Sequence, residues 1–378
     1  MTHEARIGLP YRRTALVLQG GGALGAYQVG VYQALSEAGH APDWFAGTSI
    51  GAINAAIMAG SPPDQRLTRL ETFWDRIAWP QPWPAPDNGP ARWACNAWNG
   101  MLAAWAGQPG FFRPRFPSPW MLPGEPGAVS VYDPIELRRT LEDLVDFDLI
   151  NAKGVRLSLG AVNVTTGSQV YFDSRDQRIG VEHVLASAAF PPAFPPVEID
   201  GDWYWDGGIV SNTPLDAVID DTPRRSTLVF MVDLFDGAGP VPVTMDAVAE
   251  RHKDLAYATR SGRSIEAHRA IHDLRRAVNA MWERLSPEAK ADPHLQELAK
   301  LRCVTAMNIV HILYRGGPDE TSCKDHDFSP ASIGDRRQRG YADARRLLAD
   351  PHWIEPPPED VGVIVHEANR FEHSESRA

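Results

Sequence analysis

Hydrophobic residues alternate between short continuous runs and helix-spaced stripes over the first sixty positions. Thr14-Ala15-Leu16-Val17-Leu18 is an apolar run of strand length. After Gly20-Gly21-Gly22, residues 23–38 carry Leu24, Val31 and Leu35 before Gly39 ends the stretch, which predicts strand, tight turn and helix. Residues 43–46 read as a second short strand, and residues 50–59 as a second helix, stopped at Gly60 with two prolines just beyond. Two such units in succession imply a parallel sheet covered by helices.

Residues 66–77 continue as a helix. The pattern then breaks between residues 80 and 128, where 49 residues hold 11 of the 32 prolines and 5 of the 12 tryptophans, so little regular structure is expected there. Asp133-Pro134 supplies an N-cap and first-turn pair for a helix over 135–145. Residues 155–164 and 169–172, joined through Thr165-Thr166-Gly167-Ser168, read as a β-hairpin, and residues 226–234 as another buried strand. From 245 to 285 the period is helical, with Ile271, Leu274, Val278, Met281 and Leu285 at spacings of three and four. One more strand is expected over 304–313. Ser329-Pro330 opens a long final helix that Asp350-Pro351 closes, and the tail after Glu355, with three prolines and a polar end, reads as mobile at its terminus. No internal repeat is evident.

Composition narrows the function classes. With 37 Lys+Arg against 48 Asp+Glu the chain carries a net charge of −11, a surface that repels phosphate backbones, so nucleic acid is not an expected partner. Three cysteines, Cys95, Cys303 and Cys323, show no CxxC spacing, which fits a reducing compartment and points to the cytoplasm. The apolar run at 14–18 is too short for a signal-peptide core, and residues 44–63, although free of charge, contain Thr48, Ser49 and Asn54, so no membrane span is expected and any lipid contact is peripheral.

Two glycine-rich turns carry candidate chemistry. Gly47-Thr48-Ser49-Ile50-Gly51 matches G-x-S-x-G between a predicted strand and a predicted helix. A serine on such a turn projects its hydroxyl away from the backbone, and the helix N-terminus that follows favours developing negative charge. The same pattern also fits a helix N-cap serine in a glycine-rich loop. Gly20-Gly21-Gly22-Ala23-Leu24-Gly25 satisfies G-x-G-x-x-G and admits a dinucleotide-binding oxidoreductase. A ribose-binding acid belongs at the end of the second strand, however, and Asp43 lies at its beginning. The alternative use of such a loop is an oxyanion hole of unobstructed backbone N–H groups.

A nucleophilic serine needs a base. Twelve histidines are present, and His183, His311 and His326 lie downstream of Ser49, but none sits in a motif. Trp203-Tyr204-Trp205-Asp206-Gly207-Gly208 presents a carboxylate after an aromatic strand and before two glycines, a turn that brings an acid close to backbone. His268 and His272 share a helical face without an HExxH motif and read as a surface pair in an Arg-rich helix; no metal or other cofactor is expected.

Taken in order, Gly20 to Gly25, Gly47 to Gly51 and Asp206 to Gly208 resemble the motifs of the patatin-like phospholipase family. Ala186-Ser187-Ala188-Ala189-Phe190-Pro191 and Val210-Ser211-Asn212-Thr213-Pro214 resemble segments near that family's catalytic acid. The resemblance implies an α/β fold with a mostly parallel central sheet and a serine acyl hydrolase acting on lipid or related carboxylic esters. In that reading Ser49 is the nucleophile, Asp206 the base, and the N–H groups of Gly20, Gly21 and Gly22 the oxyanion hole, with Gly25, Gly47, Gly51, Gly207 and Gly208 shaping the turns. Leu24 stands where family members often carry Arg or Lys. A catalytically silent lipid-binding protein of the same fold is the alternative.

The expected organisation is an extension over residues 1–13, one α/β domain over 14–350, and a tail over 351–378. Within the domain lie a Pro/Trp-rich, lid-like insertion at 80–128 and a helical segment at 240–300. Trp83, Trp93, Trp98, Trp105 and Trp120, with Phe111, Phe112 and Phe116, are costly to leave in water, so the insertion is expected to bury them as a cover over the carboxyl end of the sheet.

Overall fold

Strand β1 (Arg13–Leu18) leads through a 3₁₀ turn at Gly22–Gly25 into α1 (Ala26–Glu37), and β2 (Trp44–Thr48) leads directly into α2 (Ile50–Ala59). These are the two units the apolar pattern predicts. They belong to a computed structural model that describes residues 11–80, 84–116, 121–125, 127–303, 305–349, 351–355, 358 and 361–367. Along the chain follow α3 (Arg66–Ile77), α4 (Gly89–Ala106), β3 (Arg113–Pro114), β4 (Tyr132–Asp133), α5 (Ile135–Leu144) and α6 (Phe147–Asn151). The hairpin β5 (Arg156–Asn163) and β6 (Gln169–Asp173) precedes α7 (Val181–Ser187), β7 (Val197–Ile199), β8 (Asp202–Asp206), α8 (Asp216–Ile219) and β9 (Thr227–Asp233). The remainder comprises α9 (Met245–Glu283), α10 (Pro287–Lys290), α11 (Pro293–Ala299), β10 (Met307–Leu313), α12 (Pro330–Ala349) and β11 (Val363–Glu367).

The central sheet runs β11-β10-β9-β1-β2-β5-β8-β7, with β6 also paired to β5. All pairings from β11 to β5 along that order are parallel, and β6, β7 and β8 pair antiparallel. The fold is therefore α/β with a mostly parallel sheet. Alternation along β1 divides the core: Leu16 and Leu18 join a large cluster with α1, α2 and α3, whereas Ala15 and Val17 face a smaller one that includes Leu215, Val218 and Ile219. With both faces covered, the interiors of β1 (Ala15–Leu18) and β9 (Leu228–Val232) are continuous apolar runs rather than alternating.

Two expectations are corrected. Residues 80–128 are not largely irregular, because α4 spans 18 of them. The prolines crowd its flanks: Pro90 occupies the first turn, where its missing N–H costs nothing, and residues 91–106 contain none. Nor is 351–378 only a tail. Val363-Ile364-Val365, a β-branched run, pairs parallel with β10, and Val363 is fully buried. The expected burial of the aromatic residues holds in part: Phe111 and Phe112 are buried, whereas Trp93, Trp98, Trp105 and Phe116 are exposed. Trp83 and Trp120 lie outside the described residues.

The pair of helix histidines is also corrected. His272 is buried, and His268 lies 3.1 Å from the Asp216 carboxylate. Asp43 sits at the amino end of β2, where its carboxylate accepts the Thr14 N–H at 3.1 Å, far from the strand end a ribose would use. Among the described residues no helix is long and apolar enough to cross a membrane.

Candidate active site

Ser49 occupies the single residue between β2 and α2 with φ 58° and ψ −127°. Positive φ is uncommon for a residue with a side chain and persists only where surrounding structure enforces it. Here the enforcement is close packing: a Cβ on Gly47 would meet the Gly51 carbonyl oxygen at 2.2 Å, so strand and helix meet with only glycines at the crossing. Gly25 backs the same turn, its carbonyl accepting the Asn54 amide at 3.0 Å.

Ser187 and Ala189 hold the two reactive segments from one side. The Ser49 N–H donates to the Ser187 carbonyl at 3.0 Å, and the Asp206 N–H to the Ala189 carbonyl at 3.0 Å. Asp206 ends β8 and is fully buried. Its Oδ1 accepts the Gly208 N–H at 2.7 Å, and its Oδ2 has no hydrogen-bond partner among the described residues. Burial pushes its pKa up to about 7, while the nearby Ser49 hydroxyl and the Gly208 N–H pull the other way. A carboxylate with that pKa is half ionised near neutrality, a property suited to a general base.

The glycine loop leaves two backbone N–H groups open rather than the three expected. Gly20 N–H donates to the Asn212 carbonyl at 3.1 Å, and Ala23 N–H to the Asp325 carbonyl at 2.9 Å. Between them, the N–H groups of Gly21 and Gly22 meet no acceptor among the described residues, leaving them available to a ligand. Gly22 is held at φ 55°, and a Cβ there would lie 2.2 Å from the Asp325 carbonyl oxygen. The oxyanion role expected of Gly20 is thus corrected: its N–H is already engaged, and it serves to anchor the loop.

Asn212 and a distant turn complete the site. Besides accepting from Gly20, Asn212 donates its amide to the Gly20 carbonyl at 2.9 Å. Lys253 on α9 donates to Asp325 Oδ1 at 2.5 Å and to the Ser322 carbonyl at 2.7 Å, while His326 Nδ1 lies 3.1 Å from the same Asp325 oxygen. Against the cost of burial, His326 and Lys253 hold the Asp325 carboxyl well below the usual carboxylate range. Nothing in the sequence marked Lys253 or Asp325, whose importance lies in contact with a loop some 300 positions earlier. Ser187 and Asn212 were visible only as parts of supporting motifs.

Gly20, Gly21, Gly22, Ser49 and Asp206 open onto one cavity of about 280 Å³. Its apolar wall includes Phe111, Phe112, Tyr132, Phe190, Phe194 and Phe328, and its polar corner is made by Lys253, Asp325 and His326. Aromatic rings meet closely along that wall, with Phe112 4.6 Å from Tyr132 and 5.6 Å from Phe194, centroid to centroid. Of the three histidines weighed as bases, His326 lines the cavity. His183 caps the start of α7 by accepting the Gly180 N–H at 3.0 Å, and His311 on β10 lies 3.0 Å from Asp233. Among the described residues no cluster of His, Cys, Asp or Glu could hold a metal ion.

Residues 16–219, which carry Ser49, Asp206 and both glycine loops, match the family model described as patatin-like phospholipase. The chain belongs to the patatin-like phospholipase family. Residues 255–360 match a second model, described as patatin phospholipase, so the patatin-like match resumes across most of α9, β10 and α12. A lysophospholipase, nte1, of Aspergillus terreus is 58% identical over 48 residues, which is 13% of this patatin-like chain and 3% of that relative's length. The chain thus spans only a small part of that curated relative. Among solved structures, VipD from Legionella pneumophila is similar with a TM-score of 0.39 and 16% identity, over 89% of this chain and 67% of the other.

Proposed function

We propose that the protein is a serine acyl hydrolase that cleaves carboxylic esters of lipids through a Ser49-Asp206 dyad and an acyl-enzyme. The observation that carries the reading is the convergence, on one aromatic-walled cavity, of a serine forced to positive φ, a buried carboxylate with an unpartnered oxygen, and two free backbone donors. Membership of a phospholipase family supports the lipid-ester class.

In the first half-reaction Ser49 Oγ bonds to the ester carbonyl carbon while its proton passes to Asp206. The charge that develops on the carbonyl oxygen is met by the N–H groups of Gly21 and Gly22, backed by the N-terminus of α1. Collapse breaks the bond to the alcohol oxygen, which takes the proton from Asp206 and leaves. Water then repeats the sequence on the acyl-enzyme: Asp206 accepts its proton, the carboxylic acid departs, and the proton returns to Ser49 Oγ. Leu24 brings no cation to the loop, and Lys253 is the cation that lines the cavity instead.

A fluorophosphonate probe and a short-chain p-nitrophenyl ester test the reading. Labelling at Ser49 together with turnover that Ser49→Ala abolishes is the expected result. Unchanged labelling in Ser49→Ala would overturn it, and an inert wild type would favour the silent lipid-binding alternative.

A further inference from the structure

Helix α4 is built inside out. Its buried positions are Arg92, Asn96, Gly100 and Ala103, a polar and small-residue face. Its exposed positions include Trp98 at 64%, Met101 at 59% and Trp105 at 83% of full exposure. With about 100° between successive residues, Trp98, Met101 and Trp105 fall within about 60° of one another, opposite the buried four. An amphipathic helix of a soluble domain ordinarily does the reverse.

This orientation is fixed by specific bonds. Arg92 donates to Asp335 at 2.7 Å and Asn96 to the Asp319 carbonyl at 2.9 Å. A Cβ on Gly100 would lie 2.5 Å from that of Cys323, so the helix rests directly on the turn whose Asp325 carbonyl holds Ala23 beside the glycine loop. One turn further along, Tyr132 of the cavity wall donates its hydroxyl to the Ala104 carbonyl at 2.6 Å. The C-terminal half of α4 is therefore tied within one turn both to the cavity wall and to the turn that supports the glycine loop.

We infer that this face docks on a lipid surface of no net charge, delivering the cavity mouth to it; the inference rests on the lipid-ester reading above. The occupant follows from chemistry. Tryptophan and methionine suit the boundary between headgroups and acyl chains, where an indole buries its ring and keeps its N–H wet. Charge selects the kind of surface: residues 79–131 hold Arg92, Arg113 and Arg115 against Asp87 and Glu125, in a chain of net charge −11. An acidic protein is repelled by an anionic bilayer, and this nearly neutral stretch lacks the basic cluster that would offset the repulsion.

The test uses Ser49→Ala protein, so that binding is read without hydrolysis, and phosphatidylcholine vesicles. Cosedimentation is expected, accompanied by a blue shift of tryptophan fluorescence. Trp98→Ser and Trp105→Ser should each weaken binding at least about tenfold, the scale set by burying one large apolar side chain. Because both residues are exposed, both variants should fold, as thermal melting will check, and in the Ser49 background should cleave a soluble short-chain ester at the unaltered rate. Binding that is absent, or equal in all variants, overturns the inference. So does a concentration-dependent dimer that the two substitutions dissolve without any vesicle binding. Vesicle binding by a wild-type protein that cleaves no ester would instead overturn the hydrolase reading and leave the docking face standing.

Discussion

Asn212 and Gly20 exchange two hydrogen bonds, the backbone of Gly20 donating to the Asn212 carbonyl at 3.1 Å and the Asn212 amide returning one to the Gly20 carbonyl at 2.9 Å. The loop that presents Gly21 and Gly22 is thereby fixed to the segment just past Asp206. Asn212→Ala removes one of the two bonds and leaves a buried carbonyl unpaired. Turnover of a soluble ester is expected to fall about a hundredfold, the scale of losing one well-placed oxyanion donor, with KM little changed. Steady-state kinetics at fixed pH checks this.

Asp206 must be ionised to accept a proton. With its pKa at about 7, kcat/KM should rise with pH through neutrality and level above it. Asp206→Asn should lower turnover by about three orders of magnitude or more while preserving shape. A rate independent of pH between 5 and 8 would remove Asp206 from the role.

The same shift has a stability consequence of opposite sign. The folded protein holds a proton on Asp206 up to about pH 7, whereas the unfolded chain releases it near 3.8. Stability is therefore lost as pH rises through that window, and Asp206→Asn escapes the loss. The variant should be more stable than wild type at pH 8, by up to about 4 kcal/mol, and about equally stable at pH 4. Calorimetry at the two pH values decides it.

Histidine variants separate a dyad from a triad. His183 and His311 have partners away from Ser49, so alanine at either position should leave most activity. His326 lines the cavity and contacts Asp325, which makes it the informative case. A loss below about tenfold is expected in His326→Ala; a loss near a thousandfold would make it the base.

Phe112 lines the cavity and packs at a tilt against Tyr132 and edge-on against Phe194. Phe112→Ala widens the wall and removes contacts that a long acyl chain would make. Relative to an acetyl ester, kcat/KM for an octanoyl ester should fall about tenfold or more. Equal losses for both esters would assign Phe112 to stability alone.

Much of this architecture was legible because the first two units announce themselves in local pattern. Apolar runs at 14–18 and 44–46 end in glycine-rich turns, and the boundaries of α2 and α3 follow from periodicity and breakers alone. The α4 helix was not legible, since proline counting over 80–128 averaged a proline-free interior with proline-rich flanks. Strand β11 lay beyond a proline cluster, where a β-branched run of only three residues, Val363-Ile364-Val365, is too short to stand out before it pairs with β10. Within the site, Ser49 and Asp206 were marked by their neighbours in sequence. Lys253, Asp325 and His326 were not, because a contact between α9, a late turn and Gly22 leaves no periodic trace in either partner.

The shared support under Ser49 and Asp206 bears on how the site tolerates thermal motion. Their backbones hang from carbonyls two residues apart, those of Ser187 and Ala189. If Ser49 and Asp206 form the proposed dyad, a shift of that segment would carry both in the same direction, and the gap between them would change less than either absolute position. Proton transfer is steeply sensitive to separation and indifferent to common displacement. On the proposed mechanism the arrangement would filter motion by symmetry, letting the neighbourhood fluctuate to admit a bulky ester while the Ser49–Asp206 distance is conserved.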